Sequence, residues 1–156
     1  MKQIIISVML FSVLSMKGFT QDAASFRKLN FNLEKNIAIQ GYDPVAYLKE
    51  NKAVKGKNEI SVSYLGVNYY FSSAENKSAF VKDPTAYEPQ YGGWCAYAMG
   101  KSGEKVEIDP STFKIINGKL YLFYNKYFNN TLKSWNKDET NLKIKADANW
   151  EKISHS

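Results

Sequence analysis

Two stretches of this chain alternate with period two around a glycine, and they restrict its fold more than any other feature. In "EISVSYLGVNYYF", Ile60, Val62 and Tyr64 alternate with Ser61 and Ser63, and beyond Leu65-Gly66 the residues Val67, Tyr69 and Phe71 alternate again. β-Branched and aromatic side chains at every second position make a strand with one buried face. The second stretch, "FKIINGKLYLFY", carries Asn117-Gly118 at its centre. That pair is a strong type I′ turn signal, because both central residues of such a turn need positive φ. Two hairpins are therefore expected.

Short helices are expected between and after them. In "GYDPVAYLKEN" Asp43 can cap a helix and Pro44 suits its first turn, where no amide hydrogen is needed. Val45, Tyr47 and Leu48 then give it an apolar face. In "SSAENKSAFVKDP" Ser72 and Glu75 have capping-box spacing, with Ser73 as the alternative cap. Ala79 and Phe80 are expected to face the sheet, and the Asp83-Pro84 step to end the helix. "NIAIQG" (36–41) reads as a short strand. The tail from Tyr127 reads as one or two helices, with Trp135, Leu142, Ile144 and Trp150 on a packed face. The fold class expected is α+β: a small antiparallel sheet built from two hairpins, short helices and a C-terminal helical extension.

The start of the chain follows another logic. Met1-Lys2 is a short positive start, Ile4 to Met16 is apolar apart from Ser7, Ser12 and Ser15, and Gly18, Thr20 and Gln21 follow. This is the layout of a secretory leader over residues 1–20, cut near Thr20–Gln21. An uncleaved N-terminal anchor is the alternative. The apolar run is shorter than the ~20 residues of a membrane span, so no integral span is expected after cleavage. Residues 21–35 form a lead-in, loose or partly helical over 21–30, and residues 36–152 form the domain. A periplasmic or secreted location follows. The net charge of +6 falls by Lys2 and Lys17 to 6 − 2 = +4 on removal of residues 1–20, and the remaining lysines are spread along the chain. A nucleic-acid binder gathers its basic charge on one face, so no nucleic-acid partner is expected.

Familiar catalytic sets are missing. The one histidine, His155, lies in the tail. Serine elbows, P-loops and dinucleotide glycine fingerprints do not occur. Asp43, Glu75, Asp83, Glu88, Asp109 and Asp147 read as caps or surface charges, and Asp43, Asp83 and Asp109 each precede proline as turn residues do. A closed zinc site needs four ligands, mostly Cys and His, and the chain has one of each.

One segment stands out. "YGGWCAYAMG" (91–100) holds Cys95, the only cysteine, so no internal disulfide can form. Cys95 and Met99 are four apart, which on a helix sets both sulfurs on one face. Soft thiolate and thioether donors suit reduced copper. Tyr91, Trp94 and Tyr97 are candidates for a pocket that shelters the sulfur or stacks on an aromatic or sugar-like ligand. Three roles stand open for Cys95. It is a metal ligand in a binding module, a nucleophile or redox thiol with its pKa lowered by the amides after Gly92-Gly93, or, in a structural or partner-binding protein, one half of an intermolecular disulfide or a buried packing residue.

"GYDPVAY" (41–47), "YYFSSAENKSAF" (69–80), "DPTAYEPQYGGWCAYAMG" (83–100), "IDPSTFKIINGKLYLFYN" (108–125) and "ADANW" (146–150) occur in this order. Together they resemble the exported YHS-domain proteins of bacteria, over residues 36–152. The resemblance implies a small α+β domain with a hairpin, a short helix after it and a C-terminal extension. Related short YHS domains sit on heavy-metal transport ATPases and other metal-handling proteins, with cysteines as presumed ligands. Ala46, Ser72 and Asn76 stand in the matching segments here, so those ligands do not carry over. Cys95 belongs to the "PQYGG-x-CA" segment of the longer, exported subtype. The function expected is an exported binding protein, with copper on Cys95 and Met99 as the metal to test and enzymatic activity the weaker expectation.

Overall fold

The computed structural model describes the backbone of residues 13–155 and the side chains of residues 21–155. Most of the expected leader therefore lies outside the described residues. In chain order the elements are α1 (Val13–Asn30), β1 (Leu33–Glu34), β2 (Ile37–Ala38), α2 (Pro44–Glu50), β3 (Lys57–Tyr64), β4 (Val67–Phe71), α3 (Ala74–Lys82), α4 (Pro84–Tyr87), α5 (Ala96–Ser102), β5 (Asp109–Ile116), β6 (Lys119–Phe123), β7 (Asn125–Lys126), β8 (Asn129–Asn130), α6 (Thr131–Trp135) and α7 (Glu139–Ser154). The class is α+β, as the sequence leads one to expect.

The hairpins form where the alternation places them. β3 and β4 pair antiparallel around Leu65-Gly66, and β5 and β6 around Asn117-Gly118, with φ of 50° and 72° at the two turn residues. They do not share one sheet. β4 also takes β2 as a parallel neighbour, giving a mixed sheet in the order β1-β2-β4-β3, while β5 and β6 form a sheet of their own. The strand expected over residues 36–41 is only β2, because Gln40 and Gly41 have positive φ and turn the chain away.

β6 separates two cores. Leu120 and Leu122 face one, with Val45, Tyr47, Val67, Tyr69, Phe71 and Phe80. Tyr121 and Phe123 face the other, with Tyr91, Met99, Trp135, Leu142 and Ala146. A strand covered on both faces needs apolar residues at consecutive positions rather than at alternate ones, which is how "LYLF" reads. In the first core Phe80 of α3 rests on Tyr69 at 4.6 Å and Phe71 at 5.3 Å between ring centroids. In the second, α5 and α7 cross so closely that a Cβ at Gly100 would collide with the Leu142 carbonyl.

Two local readings are corrected. Ser73, not Ser72, caps α3 by accepting from Asn76 N. Ile144 is 63% exposed, because the inward stripe of α7 runs through Leu142, Ala146, Trp150 and Ile153. Of the two readings of residues 21–30, loose or partly helical, the helical one holds, because they continue α1. Phe26 packs edge-on against Phe31 and Trp150 at centroid distances of 6.3 and 6.1 Å. Gly92 lies beneath Phe31 and Trp150, and a Cβ there would come within 2.8 Å of both rings.

Candidate functional site

Cys95 lies between a left-handed turn and a short helix. Tyr91, Gly92 and Gly93 all have positive φ, and Cys95 is the extended residue just before α5. Its backbone N–H donates to Val106 O at 2.9 Å, and the residue bridges to Leu122 of β6. The sulfur is held on two sides. Tyr124 N donates to Sγ at 3.4 Å, and Sγ lies 3.4 Å from Thr131 Oγ1. Thr131 directs its one hydroxyl hydrogen to Tyr124 O at 2.9 Å. The thiol is therefore the donor to Thr131, and the three residues close a hydrogen-bond circuit. Thr131 N also donates to Tyr124 O, at 3.0 Å.

The structure does not gather the expected copper pair. Cys95 is not itself helical, with φ −59° and ψ 115°, so the four-residue spacing does not set its sulfur on the face of Met99. Cys95 packs in the first core and Met99 in the second. Among the described residues no three His, Cys, Asp or Glu side chains group as a metal site would require. Nor does the thiol face helix amides: it makes no capping bond to α5. His155 is exposed at the end of α7, while Cys95 is 0% exposed.

The three aromatic candidates do not share a wall. Tyr91 is buried in the second core and donates to Asp147 Oδ1 at 2.8 Å. Trp94 donates from Nε1 to Asn30 O at 2.6 Å, which ties α1 to the domain. Tyr97 alone of the three lines the groove that lies over the buried Cys95. A groove of about 550 Å³ is lined by Cys95, Tyr97, Ala98, Val106, Tyr124 and Thr131, with Lys101, Ser102, Glu104 and Asn129 completing it. Lys101 Nζ lies 5.7 Å from the Tyr97 ring centroid.

The segments around Asp43 and Ser72 hold a buried hydrogen-bonded hub. Asp43 is wholly buried, and its Oδ1 accepts from Val45 N at 2.9 Å and Ala46 N at 3.3 Å. Its Oδ2 accepts from Ser72 N at 2.8 Å, Ser72 Oγ at 2.6 Å and Asn76 Nδ2 at 2.8 Å. One carboxylate thus caps α2 and fastens it to the end of β4 and the start of α3. Five neutral donors fill its lone-pair directions, so Ser72 and Asn76 are engaged as donors to the carboxylate.

Other polar groups in the cores are also fixed in their resting forms. Tyr69 donates to Glu88, which pairs with Arg27 of α1 at 2.6 Å. Burial first, and the Glu88 carboxylate second, hold the Tyr69 phenol well above its ordinary value. Burial first, then the bond to Asp147, does the same for Tyr91. Lys143 pairs with Asp147 at 2.7 Å, and that bond raises its pKa. A phenol and an ammonium both held protonated are poor general bases. Among the described residues no buried side-chain nitrogen or oxygen lacks a partner.

Sequence reasoning missed Tyr124 and Thr131. Thr131 lies 36 residues from Cys95, and its only local signal is the cap that Asn130 makes on α6. Comparison with family models, with curated proteins and with solved structures yields no match. Among the described residues no helix is long and apolar enough to cross a membrane.

Proposed function

We propose that this chain is an exported, non-catalytic binding module of the YHS type, with its small-ligand site in the groove over Cys95. The observation that carries the proposal is the closed Cys95–Thr131–Tyr124 circuit at the groove's edge. It supplies a fixed surface in which the thiol is already engaged with Thr131 and Tyr124. Tyr97, Tyr124 and Val106 offer apolar and aromatic area, and Lys101 offers a cation at the rim. A ligand with a flat apolar body and one anionic group matches that set. The test is a titration of ¹⁵N-labelled protein with small aromatic carboxylates. Amide shifts confined to residues 95–106 and 124–131 support the site, and shifts elsewhere or none overturn it.

Reduced copper on Cys95 is the second reading, supported by the position of Cys95 on the groove lining. It requires the sulfur to leave Tyr124 and Thr131 and to find a second donor other than Met99. Anaerobic Cu(I) competition against a chelator separates the two readings. Equal affinity in the parent and in Cys95→Ser removes the copper reading.

A further inference from the structure

The circuit at Cys95 has a second consequence, on the outside of the molecule. Tyr124 and Thr131 bracket the short hairpin of β7 and β8, so their bonds to each other and to the core sulfur fix its stem. The turn at its tip is Tyr127-Phe128. Both residues are exposed, Tyr127 at 89% and Phe128 fully. Both have positive φ, 53° and 62°. A two-residue turn of this kind favours Asn-Gly, and bulky residues there are strained. Two aromatic side chains are thus held out from the body on a rooted stem, in a backbone conformation that they disfavour.

We propose that this tip is a membrane-surface anchor, in which Tyr127 and Phe128 enter the interface of a bilayer carrying anionic lipid. The tip is a convex point, and aromatic rings settle at the level of the headgroups, where one end is apolar and the other wet. Charge selects the anionic surface. Lys114 is paired with Glu139, which leaves Lys126 and Lys133 as the lysines nearest the hairpin in sequence. Lys126 adjoins the aromatic pair, and Lys133 follows on α6, both exposed. Lysines beside an aromatic anchor are drawn to anionic headgroups. The proposal does not depend on the ligand of the groove.

The test uses the full chain with Phe128→Trp and vesicles of equal parts phosphatidylglycerol and dibrominated phosphatidylcholine. Bromine quenches only a nearby indole, so the reading is local to the tip. The expected result is that the emission added by the substitution is quenched and blue-shifted. In vesicles of dibrominated phosphatidylcholine alone, or with Lys126→Glu, the apparent affinity of that quenching falls about tenfold. Tyr127→Asn with Phe128→Gly is expected to raise the melting temperature, because it relieves the turn. An added indole that stays unquenched overturns the proposal, whether the protein binds the vesicles or not. So does a dimer in vesicle-free solution that Tyr127→Asn with Phe128→Gly abolishes, which would assign the tip to a second copy.

Discussion

Arg27 of α1 and Glu88 meet across 61 residues of chain, with Nη2 2.6 Å from Oε2, and Tyr69 donates to the same carboxylate from the core side. The guanidinium also lies 5.2 Å from the ring centroids of both Phe31 and Tyr64. One side chain thus joins the N-terminal helix to the sheet by charge, by hydrogen bond and by stacking. Replacing it strands a nearly buried carboxylate. Arg27→Met is expected to lower stability by about 3 kcal/mol, read by urea denaturation. Glu88→Gln in that background should recover part of the loss, and a full double-mutant cycle with no coupling would contradict the pairing.

The Cys95 thiol is expected to be a protected group. A thiol reagent should modify the native protein at a rate set by opening of the fold, so that the rate rises with urea. Labelling as fast as that of a free cysteine would show that the sulfur is open to solvent. Cys95→Ala leaves Tyr124 N without its acceptor and should cost about 2 kcal/mol. Cys95→Ser keeps donor and acceptor and should cost less.

Asp43 organises three elements from one position. Asp43→Ala leaves Ser72 N, Asn76 Nδ2 and the first amides of α2 without their acceptor, inside the core. A loss of about 3 kcal/mol or more is expected, with a lower helix signal in circular dichroism. Asp43→Asn keeps one oxygen and should retain part of the stability. A variant Asp43→Ala as stable as the parent would remove the hub from this account.

Alkaline pH should unfold the protein steeply. Tyr47, Tyr69 and Tyr91 each have a phenol pushed up first by burial. In the unfolded chain they ionise near the ordinary value, about 10. Above that pH the unfolded chain binds fewer protons than the native one. The stability from this source is therefore complete below about pH 10 and lost as pH rises towards the folded values. Three such groups give a slope of about 4 kcal/mol per pH unit. Absorbance at 295 nm should show these phenolates appearing only together with the loss of fold, and ionisation of all eleven tyrosines in a still-folded protein would contradict it.

The local devices were legible in the sequence. The two hairpins, the Asn117-Gly118 turn, the Asp43-Pro44 helix start and the Asp83-Pro84 stop each depend on residues within a few positions of one another. The misreadings arise where a distant partner decides. Ser72 has the spacing of a capping residue, but its amide and hydroxyl go to Asp43, 29 residues away. Cys95 and Met99 have helical spacing, but β6 divides the cores they enter. The tip at Tyr127-Phe128, read as the start of a helix, is instead the turn of the β7–β8 hairpin, and it was missed for the opposite reason. Turn signals are sought in glycine and asparagine, and this turn keeps aromatic residues against that preference.

Gly92 also bears on how the protein comes to be made. Phe31 lies over it from near the start of the described chain and Trp150 from near its end. A ribosome delivers Phe26 and Phe31 long before it delivers Trp150. For most of synthesis, then, the first helix has no finished seat, and the nascent chain keeps that apolar face uncovered. The domain closes on itself only when its last helix has emerged. The seat of α1 is therefore completed by residues made late, and docking of the N-terminal segment waits on α7.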